Sequence, residues 1–247
     1  MPRAARKISK TGIYHIVLCG INQQLIFQED EDYEKFLDIL ADCKETSGFK
    51  LHAYCLMDNH AHLLIEVVFE GLGHIFKRIG TKYVHWFNRK YGRAGHLFQD
   101  RYKSEPVETT GYFFAVIRHI HQNPVKAQLA SSVDAYKWSS YKEYAKKRNI
   151  TDTAFALRMM NRAKFIEFNN EAETGNNTYL EMVAPRISDN EAKETIKKLL
   201  NCDTVNEYQQ LDAQVRKEGL KRLKQEGLSI RQISRLTGIG KGIVERA

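Results

Sequence analysis

Met57-Asp58-Asn59-His60-Ala61-His62-Leu63-Leu64-Ile65 is the stretch on which the reading of this chain turns. Leu63 to Val68 has the apolar, β-branched character of a strand, and side chains of a strand alternate between its two faces. If the strand reaches back through the histidines, His60 and His62 project from one side, roughly 7 Å apart at Cα, which suits two ligands of one divalent metal. Histidine pairs also occur on half-buried strands as packing residues, so the motif alone leaves metal binding and plain burial both open.

Working outward, Phe49 to Leu56 and Ala61 to Phe69 are two strand candidates separated by a hairpin-sized gap of Met57, Asp58, Asn59 and His60. Ile13 to Cys19, closed by Gly20, predicts an earlier strand. Glu29 to Cys43 places Tyr33, Phe36, Leu37 and Leu40 at helical spacing, the pattern of an amphipathic helix. A second helix follows on Leu72, Ile75, Phe76, Ile79, Tyr83, Trp86 and Phe87. Its other face carries Lys77, Arg78, Lys82, Arg89 and Lys90, either a solvated surface or a contact for nucleic acid. Gly95 to Val107 predicts an extended segment in which Phe98, Arg101, Tyr102 and Lys103 interleave. Such a segment can stack bases and hold phosphates, or be a plain edge strand. Thr110 opens a third helix through Ile120 that Pro124 should terminate. On it His119 and Asn123, four residues apart, share a face about 6 Å apart along the axis.

This order predicts an α+β fold, an antiparallel sheet with helices on one face and the other face left for His60 and His62. After Tyr144 the composition turns polar and charged, which suggests domains at 1–145 and 187–247 joined by a connector at 146–186. Ser188-Asp189-Asn190-Glu191 is a capping box for a helix through Leu200, and another helix should cover Tyr208 to Gln225, stopped by Gly227. Leu228 to Ile239 has the helix and glycine turn of a helix-turn-helix, with 240–246 as its second helix. Arg231, Arg235, Lys241 and Arg246 cluster there, so this small all-α unit is either a duplex-DNA reader or a packing element.

The chain has 247 residues, 43% of them hydrophobic, and a formal net charge of +8. The charge tilts toward a polyanionic partner, because lysine and arginine release condensed counterions on meeting phosphates. Cys19, Cys43, Cys55 and Cys202 have no C-x-x-C spacing, which argues against a zinc knuckle or a disulfide framework and for reduced thiols in a cytoplasmic protein. The basic N-terminus is followed by an apolar run too short for a signal peptide or a membrane span, so no membrane partner is expected.

Several of these residues recur together in one known family. Tyr14-His15, Phe27, Asp32-Tyr33, the run Tyr54 to Leu64, Gly95-His96-Leu97-Phe98-Gln99-Asp100-Arg101-Tyr102 and His121-Gln122-Asn123-Pro124-Val125-Lys126-Ala127 resemble, in order and spacing, the REP-associated tyrosine transposases of the HUH single-strand transposase superfamily. The likeness covers about the first 145 residues, and the C-terminal segment looks like the helix-turn-helix appended to some members. The resemblance implies a ferredoxin-like or RRM-like HUH fold. It makes His60, His62 and Asn123 ligands of Mg2+ or Mn2+ that holds the scissile phosphate of single-stranded or hairpin DNA, and implies strand cleavage and rejoining in DNA transposition.

In that family a tyrosine four residues before the third ligand attacks the phosphate and forms a 5′ phosphotyrosyl link. This chain has His119 at that position. Imidazole is shorter than a phenol, and small misplacements at a reacting centre are costly. A covalent phosphoramidate on His119 is one reading. A DNA-binding protein or regulator that no longer cuts is another, and a metal-dependent phosphodiesterase using water, with Glu66 as base, is a third. His119 could also join His60 and His62 as a third imidazole, shifting preference toward Zn2+. Tyr112, two turns earlier on the third helix, is a conceivable substitute nucleophile. Arg101 and Lys103 are expected phosphate contacts.

Overall fold

The computed structural model describes residues 6–145, 149–171, 189–200, 202, 207–208, 211–226, 228 and 230–246. The chain divides into two compact units, Met1–Met182 and Val183–Ala247. Among the described residues no helix is long and apolar enough to cross a membrane.

The first unit is built on a four-stranded sheet of β1 (Ile13–Cys19), β2 (Lys50–Met57), β3 (His60–Glu66) and β4 (Lys103–Pro106), in the order β2-β3-β1-β4. Every neighbouring pair is antiparallel. Met57 pairs with His60, so Asp58 and Asn59 form a two-residue hairpin turn. Neighbouring loops pin that turn: Gly20 N–H donates to Asn59 O at 2.9 Å, Ile26 and Phe27 N–H both donate to Asp58 O, and the Tyr33 hydroxyl donates to Asp58 Oδ1 at 2.7 Å. Of the segment Gly95 to Val107, only Lys103–Pro106 is strand, with an isolated bridge from Phe98 to Gly20.

Helix α1 (Asp30–Ser47) starts at Glu29 with a capping box to Asp32 and ends at Gly48, whose φ of 68° is the left-handed conformation glycine adopts without penalty. It and α2 (Leu72–Lys90) cover the sheet face made by Tyr14, Ile16, Leu18, Tyr54, Leu56, Leu63 and Ile65. The opposite face is covered as well, which the sequence pattern did not indicate. Helix α3 (Thr110–Lys126) packs Phe113, Phe114, Val116, Ile117 and Ile120 against Ile13, Ala53, Cys55, Met57 and Leu64. A sheet face this apolar is costly to leave wet, and α3 carries enough buried surface to close it. Thr109 caps α3 by accepting from Tyr112 N–H at 3.2 Å. Pro124 does not terminate the helix, which runs on to Lys126, because in the last turn its missing N–H forfeits a single bond.

The segment expected to be a connector begins with packed structure. Helix α4 (Tyr141–Ala145) is followed by α5 (Ala154–Met159) and α6 (Arg162–Asn170), and Ala156 and Phe165 join the buried cluster under α3. Phe165 stacks on Tyr144 with ring centroids 4.2 Å apart. Apolar residues thinly spaced among polar ones hid this layer from a compositional reading.

The second unit is all helical: α7 (Asp189–Leu200), α8 (Ala213–Gln225), α9 (Ile230–Thr237) and α10 (Lys241–Arg246). Ala192, Ile196, Leu220, Leu223, Ile233 and Val244 form its core. Gly219 lets α7 and α8 approach closely, since a Cβ there would stand 2.1 Å from Leu200 Cδ2. Gly238, at φ 68°, separates α9 from α10. Ser188 of the expected capping box and the expected stop at Gly227 lie outside the described residues.

Candidate functional site

Strand alternation sets His60, His62 and Leu64 of β3 on the face that α3 covers, together with His15, Val17 and Cys19 of β1. In register, Cys19 opposes His60, Val17 opposes His62 and His15 opposes Leu64. The last two turns of α3 bring His119 and Asn123 down onto this face. The three elements therefore assemble four imidazoles and one amide. His15 is 0% exposed, His62 and His119 are each 1% exposed, and His60, at 8%, is nearest to solvent.

The hydrogen bonds fix which nitrogen of each β3 histidine faces inward. Asn123 Nδ2 can only donate, and it lies 3.3 Å from His62 Nε2, so that nitrogen carries a lone pair. The His62 proton is then on Nδ1, which donates to His15 Nε2 at 3.0 Å. His60 Nδ1 lies 2.7 Å from Asn59 Oδ1, an acceptor, and in the tautomer that donates there Nε2 is the lone-pair atom. Asn123 hydrogen-bonds His60 as well. Each imidazole of the His-x-His pair thus has its Nδ1–H tied to an acceptor behind it, the outer-shell arrangement usual for metal-ligating histidines.

Burial also keeps these rings neutral, the form that coordinates metal. It pushes His15 down to about 3, helped by the neighbouring His119, and His60 down to about 4 against the opposing hydrogen bond of Asn123. His62 is held well below its ordinary value, chiefly by burial and then by His15, His60, His119 and Lys103. The donor set of two neutral imidazoles and an amide fits a divalent cation.

His119 does not stand with His60. One ligand nitrogen from each of His15, His62 and His119 lies within 4.8 Å of the others, and this trio excludes His60. His15 and His62 stack at 5.2 Å between centroids, and His119 meets both edge-on at 5.8 and 5.6 Å. The third-imidazole expectation is corrected accordingly: His119 pairs with the β1 histidine. His15 was quoted in the sequence only as part of a family resemblance. The signal that would have found it is a lone polar ring among Ile13, Val17 and Cys19 on the buried face of a strand.

Glu66 is on the histidine face of β3, but its carboxylate is engaged elsewhere, with Lys50 Nζ at 2.7 Å and His52 Nε2 at 3.0 Å. These hydrogen bonds outweigh burial and hold its pKa below the ordinary carboxylate value, which does not suit a general base. Tyr112 packs with the apolar cluster under α3. Lys103 opposes Val17 and so lies on the histidine face, where its charge reaches His62. Arg101 is exposed in the loop before β4. In the second unit Arg235, Lys241 and Arg246 are exposed, while the side chain of Arg231 lies outside the described residues.

Comparison with known proteins agrees with this architecture. Residues 9–123 match the family described as "Transposase IS200 like". No curated protein matches the chain. Among solved structures, a REP-associated tyrosine transposase bound to a REP hairpin superposes with a TM-score of 0.56 at 14% identity, over 74% of this chain and 99% of that one. A Deinococcus radiodurans protein described as a transposase aligns at 17% identity over 51% of this chain and 98% of its own, with a TM-score of 0.35. At 14% identity the first of these likenesses speaks to the fold alone. The family match covers all four strands, the four site histidines and Asn123.

Proposed function

We propose that the protein is a transposase-family DNA-binding protein that grips a phosphate of single-stranded or hairpin DNA at a divalent cation held by His60, His62 and Asn123. The observation that carries this is the meeting of Asn123 with both imidazoles of the His-x-His pair, each presenting a lone pair on Nε2. The amide turns its nitrogen toward His62, and a half-turn of the same group offers the oxygen a cation prefers. Mn2+ tolerates imidazole better than Mg2+ does, so it is the expected better fit of the two. When bound, the cation supplies Lewis-acid polarisation of the phosphate. The DNA-bound state of the structurally similar transposase supports a DNA partner.

The resemblance implies strand cleavage and rejoining, but in this chain the family's nucleophile position is held by His119. His119 is buried and packed in T-shaped contact with His15 and His62. The reading favoured here is therefore a binder that no longer forms a covalent link. Labelled hairpin oligonucleotide incubated with Mn2+ tests it. The natural protein is expected to give no protein-linked DNA and the His119→Tyr variant to give some; a robust adduct on the natural protein would return the chain to the cutting enzymes.

Lys103, beside the site, and Arg101, on the loop leading to it, are the proposed phosphate contacts of this unit. The exposed Arg235, Lys241 and Arg246 are proposed to add duplex affinity through the helix-turn-helix, with Arg231 as a further candidate there. Replacing Arg235, Lys241 and Arg246 by alanine should lower the salt dependence of duplex binding by about 0.9 log units per contact, read from affinity against salt concentration.

A further inference from the structure

We propose that His15, His62 and His119 form a second metal site, distinct from the one on His60 and Asn123 and suited to a borderline-soft cation of the zinc class. The two sites lie on opposite edges of the His62 ring, and a neutral imidazole serves one at a time: for Nδ1 to bind the second cation, its proton moves to Nε2. Nε2 faces Asn123, whereas Nδ1 faces His15 Nε2 at 3.0 Å. Tetrahedral zinc with nitrogen ligands about 2.0–2.1 Å away sets neighbouring ligand atoms about 3.3 Å apart, so the His15 and His62 nitrogens already stand close to the required spacing. One ligand nitrogen from each ring lies within 4.8 Å of the others, and His119 meets the stacked pair in a T-shaped arrangement.

The chemistry of the set decides the cation. Three imidazoles with no carboxylate among them suit Zn2+ or Co2+ and are poor hosts for Mg2+, which demands oxygen ligands. Plain packing accounts badly for the same residues. Three polar rings, each at most 1% exposed, are packed between the sheet and α3 beside Ile13, Val17, Leu64 and Ile120, and His15 Nδ1 finds no hydrogen-bond partner among the described residues. Coordination gives these rings a reason to be there and clamps α3 to β1 and β3 through residue 119. It also gives the histidine at that position a role that a tyrosine nucleophile could not fill.

The test uses the full chain purified without a histidine tag, stripped with chelator and titrated with Co2+, whose visible absorption reports four-coordinate nitrogen sites. The natural protein should take up one equivalent with strong visible bands that Zn2+ displaces, and Zn2+ should raise its thermal midpoint. His15→Phe and His119→Phe should lose both the bands and the Zn2+ effect while keeping native circular dichroism. If either fails to fold, His15→Gln and His119→Gln replace them with the same expectation. His60→Ala and Asn123→Ala should keep the bands, and this separates the site from the proposed DNA-phosphate site, whose loss would leave the Co2+ signal intact. No stoichiometric uptake by the natural protein overturns the proposal. So do bands that survive His15→Phe and His119→Phe but vanish with His60→Ala.

Discussion

The two faces of the sheet are made from alternate residues of the same strands, yet they are built to different ends. Toward α1 and α2 the strands present Tyr14, Ile16, Leu18, Leu63 and Ile65, and the aromatic rings beyond them nest closely, with Phe27 on Tyr33 at 4.6 Å and Tyr33 on Trp138 at 4.5 Å. Toward α3 the same strands present His15, His60 and His62, which are buried almost as deeply. Burying an aliphatic side chain stabilises the fold, whereas burying an imidazole costs desolvation that its hydrogen bonds offset in part. One face holds the molecule together, and the other is held in place by it.

That contrast breaks most visibly if the apolar face is opened. Phe36, fully buried between α1 and the sheet, should cost about 3–5 kcal/mol on substitution by alanine, measured by urea denaturation. The histidine face should instead show itself in acid. Buried neutral histidines have folded pKa values below their unfolded value near 6.5, to about 3 for His15 and about 4 for His60. Their contribution is whole above pH 6.5 and is lost as pH falls toward 4 and then 3, because the unfolded chain takes up protons that the folded chain excludes. Thermal midpoints across that window should fall with pH, and less steeply for His15→Leu; an unchanged slope would mean that His15 does not titrate as a buried group. Smaller again is the effect of the cap that starts the helix bearing residues 119 and 123. Thr109→Ala should cost about 1 kcal/mol. The last comparison exchanges the histidine face directly for hydrocarbon. In metal-free protein at neutral pH, His15→Leu and His119→Leu should change stability by under about 1.5 kcal/mol in either direction. A loss as large as that of Phe36→Ala would make these histidines structural and erase the contrast.

The apolar face was the legible one. Short apolar, β-branched and aromatic runs closed by turn residues in β1, β2 and β3 and helical spacing in α1 and α2 located the elements that build it, because such runs report burial directly. The hairpin at Asp58-Asn59 was readable from the length of the gap, whereas the place of Asn123 beside the histidine pair came only from the family resemblance. Less legible was anything depending on long-range packing. That α3 closes the second face, that Ala156 and Phe165 help to bury it, and that His15 lies behind His62 all require knowing which strands become neighbours. The β2-β3-β1-β4 order, which sets β1 beside β3, is not written in any local pattern. The family resemblance put His119 near the pair, but only the sheet register chose its partner.

The central claim is that His60, His62 and Asn123 together hold a cation which grips DNA. Its most direct test is the affinity of the full chain for a labelled hairpin oligonucleotide with a single-stranded tail, measured with Mn2+ and with chelator. Binding by the natural protein should be markedly tighter with Mn2+, and His62→Ala and Asn123→Ala should each abolish the difference while leaving the chelator-resistant binding in place. Equal affinity with Mn2+ and chelator, or full Mn2+ dependence in Asn123→Ala, would contradict it.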